Sequence, residues 1–187
     1  RNTLKEWCTM PVMTDPRYPV GKYEPQPFSI EKKVEWLADI KFLPMALEQA
    51  ILNLDEAQLQ TPYREGGWTV HQLVHHIADS HLNAYIRFKL ALTEDNPAIK
   101  PYDEKLWAEM YDVQKLPVNI SITLLYALHT RWHEALKYVN DDEWNNCTLF
   151  HPEHKKTLRL WFFLGLYAWH GRHHVAHITS LREQRGW

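Results

Sequence analysis

From Leu158 to Trp169 the chain is apolar on almost every side, and the run passes directly into Trp169-His170-Gly171-Arg172-His173-His174-Val175-Ala176-His177, with four histidines in eight residues. Each imidazole nitrogen buried there needs a partner, because an unpaired one costs on the order of 1–3 kcal/mol. Read as a helix, the inward stripe is Phe163, Leu166, Tyr167, His170, His174, His177, Ile178 and Leu181, with apolar residues on both sides of the histidines. His170 and His174 stand one turn apart and aim two nitrogens at one point. His173 and His177 share that spacing but point elsewhere. Two readings compete: packing histidines with satisfied hydrogen bonds, and a ligand pair for a divalent ion.

At 187 residues the chain suits one substantial core. A net charge of -2 gives no electrostatic reason to expect nucleic acid or an acidic membrane as partner. No apolar run is long enough to span a bilayer, and the first residues lack a signal-peptide pattern. Cys8 and Cys147 are too few for a disulfide scaffold and agree with a reducing cytoplasm. Nine Trp exceed the needs of a core this size, so some are expected to line a pocket.

Residues 1–28 carry five prolines and form an arm, expected to drape over a domain spanning residues 29–187. Whether it docks on its own subunit or on a neighbour is open at this point. Ser29 caps a first helix over about residues 30–53, which Pro44 is expected to kink. Thr69-Val70-His71-Gln72 fits a capping box that opens a second helix, ended by Pro97. On a helical wheel His81 falls nearest the middle of its apolar face and His76 on the flank.

A connection over residues 97–118 holds a short helix started by Asp103, and its length lets the second and third helices run in the same direction. Asn119 or Ser121 caps the third helix; His129 and His133, beside Arg131, read as solvent-side or interface residues. Before the last helix, Cys147–Phe150 and Thr157–Leu160 have strand character about a turn at residues 151–156, although Thr157 fits a helix cap equally well. The fold class is all-α, with four main helices and a possible small hairpin.

Facing helices of a bundle can share one ion, and a third nitrogen from the second helix would give a three-histidine set with positions left for water or substrate, as in catalytic zinc sites. Imidazole suits zinc, nickel, copper and iron alike. Neither cysteine lies near the histidines in sequence and no nucleophile elbow is visible, so a protein nucleophile is disfavoured.

Several stretches resemble one family: Tyr18-Pro19-Val20-Gly21, Thr61-Pro62-Tyr63-Arg64, Gly66-Gly67-Trp68-Thr69-Val70, His75-His76, Ala78-Asp79-Ser80-His81, Tyr85-Ile86-Arg87-Phe88-Lys89-Leu90, Pro101-Tyr102-Asp103-Glu104-Lys105 and the closing histidine run. Together they are similar to the DinB superfamily of metalloenzymes and, within it, to the YfiT-like proteins, also called BstA-type bacillithiol transferases. The resemblance implies an up-down-down-up four-helix bundle, a homodimer, and a divalent metal on His76, His170 and His174. Zinc is the expected ion, with nickel or another first-row metal compatible. His75, His81, His173 and His177 then become supporting or packing residues, Asp79 a group able to orient an imidazole, and Arg87 a group able to attract an anionic substrate. The activity implied is hydrolysis, or transfer of a low-molecular-weight thiol, on a small electrophile. The competing reading is a non-catalytic metal-binding bundle, in which the ion only ties two helices together.

Overall fold

Side-chain caps set where several of the helices begin. The computed structural model describes residues 15–187; Cys8 and the first part of the arm lie outside the described residues. Helix α1 (Ile30–Ile51) starts where Ser29 Oγ accepts from the Lys32 amide, and it continues unbroken through Pro44. A single turn, α2 (Glu56–Leu59), leads to a loop closed by hydrogen bonds between Tyr63 and Trp68 and between Thr61 and Val70. Thr69 and Gln72 then form the anticipated capping box at the start of α3 (Val70–Thr93).

The connection carries α4 (Glu104–Trp107), capped by Asp103 as expected, and a further turn, α5 (Tyr111–Lys115). Helix α6 (Val118–Leu136) begins at Pro117, ahead of the expected Asn119 or Ser121 cap. Pro117 has no side chain able to cap the first turn, and the Ile120 amide donates to the Pro117 carbonyl. After α7 (Asp141–Asn146), β1 (Thr148–His151) pairs antiparallel with β2 (Lys156–Arg159), and α8 (Leu160–Arg185) follows directly. Thr157 is therefore a strand residue and not a cap.

Helix α1 packs on α6 and α8, and α3 packs on the same two, so α1 and α3 occupy opposite corners of the bundle and α6 and α8 the other two. Two apolar clusters give the directions. An aromatic half contains Trp36, Ile40, Phe88, Trp132, Trp144 and Tyr167. An aliphatic half contains Leu43, Leu47, Leu73, Ile77, Leu125 and Ile178. Helix α1 passes from the aromatic to the aliphatic half, α3 and α6 pass back, and α8 repeats the direction of α1. This is the up-down-down-up order, made possible by the long connection between α3 and α6.

Helix α8 is buried on most of its faces because the arm covers what the bundle leaves open. The Tyr23 hydroxyl donates to the Phe162 carbonyl, and the indoles of Trp161 and Trp169 donate to the carbonyls of Gln26 and Gly21. The described part of the arm thus docks on its own chain. Gly165 permits this: a Cβ there would lie 2.4 Å from the Tyr23 hydroxyl and 2.7 Å from the Trp36 ring.

Candidate metal centre

Between the two apolar halves lies a layer of imidazole. Helix α3 contributes His76 and His81, α6 contributes His129, and α8 contributes His170 and His174. Nε2 of His170 is 3.3 Å from Nε2 of His76 and 3.2 Å from Nε2 of His174. Ligand nitrogens of these three residues all lie within 4.8 Å of one another. A tetrahedral ion with bonds of about 2.0–2.1 Å keeps its nitrogen ligands about 3.3 Å apart, so this spacing fits such an ion.

Burial pushes the pKa of His76 down to about 4 and, with the neighbouring rings adding to the effect, holds those of His170 and His174 well below the usual value. All three are neutral near pH 7, with lone pairs available. The three residues singled out as ligands are therefore brought together. His81 is fully buried, as the wheel indicates, but it reaches the cluster from behind, with its Nε2 3.0 Å from Nδ1 of His170.

His129 corrects the sequence expectation. It is 1% exposed rather than solvent-side, with Nδ1 2.5 Å from the Ile40 carbonyl and Nε2 2.9 Å from Nδ1 of His81. Its spacing from Leu125, Leu128 and Trp132 puts it on the inward stripe; the adjacent Arg131 suggested the opposite. His177 lies on the other side of the site. Its Nδ1 is 3.2 Å from Nδ1 of His174, and its Nε2 is 3.1 Å from the carbonyl of Arg17 in the arm.

Asp79 makes no hydrogen bond to an imidazole among the described residues. Burial raises its pKa to about 6, and Asp112 of α5 adds to the rise, so it belongs with the connection. Arg87 donates to the Tyr167 hydroxyl and the Lys100 carbonyl and does not line the cleft. His173 stacks on Trp169 at 4.4 Å, and its Nδ1 is buried with no partner among the described residues. His71 and His75 tie α3 to the connection through the carbonyls of Val113 and Leu116, and His75 also reaches the Ser121 hydroxyl of α6. Arg172, the one cation inside the histidine run, turns toward Glu35 and Asp39 of α1.

The three converging nitrogens face a cleft of ≈ 810 Å³. Trp68 packs on His76 at 4.5 Å, and Tyr63 on His177 at 4.0 Å. Arg64 and Lys105 stand at the cleft wall and form no ion pair with a carboxylate among the described residues. No helix of the described residues is long and apolar enough to cross a membrane.

The sequence profile of the DinB superfamily matches residues 39–178. A Bacillus cereus strain B4264 protein named "Putative metal-dependent hydrolase" is 52% identical over 176 residues, covering 94% of this chain and 100% of the relative. A Bacillus anthracis protein of the same name shows the same identity and coverage. The solved structure of YfiT from Bacillus subtilis, described as "a probable metal-dependent hydrolase with an unusual four-helix bundle topology", superposes with a TM-score of 0.89 at 47% identity, over 92% of this chain and 98% of that one. With the bundle order and the histidine layer in place, these matches identify the chain as a member of the DinB superfamily.

Proposed function

We propose that this chain is a divalent-metal-dependent enzyme, a hydrolase or a low-molecular-weight thiol S-transferase, acting on a small electrophile in the cleft. The observation that carries this reading is the convergence of Nε2 of His76, His170 and His174 at an open cleft. Three protein ligands leave positions free, which is the pattern of catalytic sites as opposed to closed structural ones. A bound ion would supply Lewis acidity and lower the pKa of a water or thiol, so that hydroxide or thiolate is available at neutral pH. Zinc is the ion we favour; nickel and other first-row metals suit the same ligands.

The chain's own residues do the rest. Burial keeps the three ligands unprotonated, so no proton has to be displaced before they bind. Trp68 holds the His76 ring from one side, while Arg64 and Lys105 provide positive charge where a substrate enters. The named relatives favour hydrolysis, and thiol transfer follows from the family likeness of the motifs. A cytoplasmic homodimer belongs to the same proposal, and light scattering of the purified protein tests the dimer.

The discriminating experiment loads purified protein with zinc and offers it esters and amides, and separately a thiol with a haloarene or epoxide. Turnover in the first set supports the hydrolase, and turnover in the second supports the transferase. If neither set reacts above background while zinc is bound, the catalytic reading fails.

A further inference from the structure

A neutral imidazole carries one N–H and one lone pair, and it binds a cation only through the nitrogen that lacks the proton. For His170 and His174, the groups behind them decide which nitrogen that is. The Ile40 carbonyl is the starting point on the core side. The residue four positions on in α1 is Pro44, which has no N–H to return to it. His129 Nδ1 occupies that place at 2.5 Å. A carbonyl only accepts, so the proton of His129 sits on Nδ1 and its Nε2 bears the lone pair.

The consequence passes along the layer. His129 Nε2 is 2.9 Å from His81 Nδ1, which must donate to it. His81 Nε2 is then the acceptor, 3.0 Å from His170 Nδ1, which donates in turn. His170 is left with a bare Nε2 facing His76 and His174. With exposures of 0% for His81 and 1% for His129, neither ring has solvent to support a second proton and its charge.

The arm sets the other ligand in the same way. The Arg17 carbonyl lies 3.1 Å from His177 Nε2, so that nitrogen carries the proton and Nδ1 is bare. His174 Nδ1, 3.2 Å away, donates to it, which leaves His174 Nε2 bare as well. Two lone pairs then face each other across the 3.2 Å between His170 Nε2 and His174 Nε2, a contact that a cation relieves.

We propose that His81, His129 and His177 are positioning residues forming two directional imidazole chains. One starts at the Ile40 carbonyl freed by Pro44 and the other at the Arg17 carbonyl of the arm; they fix the tautomers of His170 and His174 so that both present a bare Nε2 to the ion. This rests on the metal-dependent reading above.

The test uses the full chain, metal-free and labelled with ¹⁵N-histidine, and reads which ring nitrogen of each histidine bears the proton by imidazole ¹H–¹⁵N correlation at neutral pH. The expected pattern is Nδ1–H on His81, His129, His170 and His174, and Nε2–H on His177. In His81→Met and His177→Met, zinc affinity measured by chelator competition falls about 10–100-fold, the usual loss when a group orienting a ligand is removed. His81→Gln, which retains one donor and one acceptor, recovers part of the loss. Nε2–H on His170 or His174 in the wild type, or unchanged zinc affinity in His81→Met, overturns the positioning role while leaving the metal reading intact. A wild-type chain that takes up no zinc overturns both. A second zinc ion held by His173, His174 and His177 overturns the arm-side chain.

Discussion

His170 and His174 stand one turn apart on the same face of α8, yet they are held from opposite sides of the molecule. Behind His170, two more imidazoles lead through α3 and α6 to a carbonyl of α1, all inside the bundle. Behind His174, one imidazole leads to the carbonyl of Arg17, which belongs to the arm and exists as a partner only while the arm is docked. The difference shows that equal spacing on a helix does not mean equal support. In the proposed site one ligand is oriented by the core, whose loss would unfold the protein. The other is oriented by a segment whose loss need not.

The largest expected effect tests whether the two are equal where they touch the ion. His170→Ala and His174→Ala should each abolish zinc retention through desalting, measured by elemental analysis of protein prepared without a nickel column. Retention in either variant would mean that the ligand set is misassigned and the comparison has no basis.

Acid should then separate the two sides. Burial holds His129 and His177 at about 4 in the folded chain, against an ordinary value of 6.5. Their pKa values are lowered on folding, so the unfolded chain binds more protons between these limits. The stability these groups contribute is complete above pH 6.5 and is lost as the pH falls toward 4. Urea unfolding of the metal-free protein across this window should show uptake of more than one proton per chain, because His76 and His173 are also depressed, to about 4 and about 3. Hydrogen exchange should report release of the arm before global unfolding, since His177 can protonate once the arm lifts. Simultaneous loss of both would make arm and core one cooperative unit.

A smaller effect probes the arm's seat. Gly165→Ala places a methyl group against Tyr23 and Trp36, rings with little room to move, and should destabilise by about 1–3 kcal/mol in denaturant titration. Gly171→Ala meets the flexible end of Leu43 at 2.9 Å, so its cost should be lower and partly offset by alanine's better helix propensity. Equal losses would place the arm's contribution elsewhere. The smallest effect is expected at Cys147, which packs against the aromatic half. Cys147→Ser should leave turnover unchanged, and a large drop would require a protein nucleophile after all.

Much of this was legible in the sequence because it rests on local chemistry. The Ser29 and Thr69 caps and the HxxxH spacing each involve residues within a turn of one another, and the hairpin pairs two strands adjacent in sequence. The three residues that converge were placed by motif. His129 was not, because a neighbouring arginine outweighed its place on the apolar stripe, and its partner is a backbone carbonyl that has no signature of its own. Pro44 was the available signal: a proline inside a helix frees the carbonyl four residues back, and something must take it. The helix runs on through Pro44, so the proline's lasting consequence is that free carbonyl. Asp79 shows the converse, an acid in the right motif that faces the connection. The docking of the arm on its own α8 depends on contacts more than a hundred residues apart, such as Tyr23 with Phe162, which no local pattern encodes.

The diagonal placement of α1 and α3 also bears on how the protein folds. In a bundle of sequential hairpins each helix closes on the one made just before it, and such local contacts allow fast folding. Here α1 has its main partners in α6 and α8, so the first long helix of the described residues waits for the last. The contacts that define the bundle are long-range in sequence, and each carries the entropy cost of closing a large loop. Folding should therefore be slower than in a sequential bundle of the same length, with α1 and α8 docking late. Both imidazole chains converge on α8, so the histidine layer is completed at that same step.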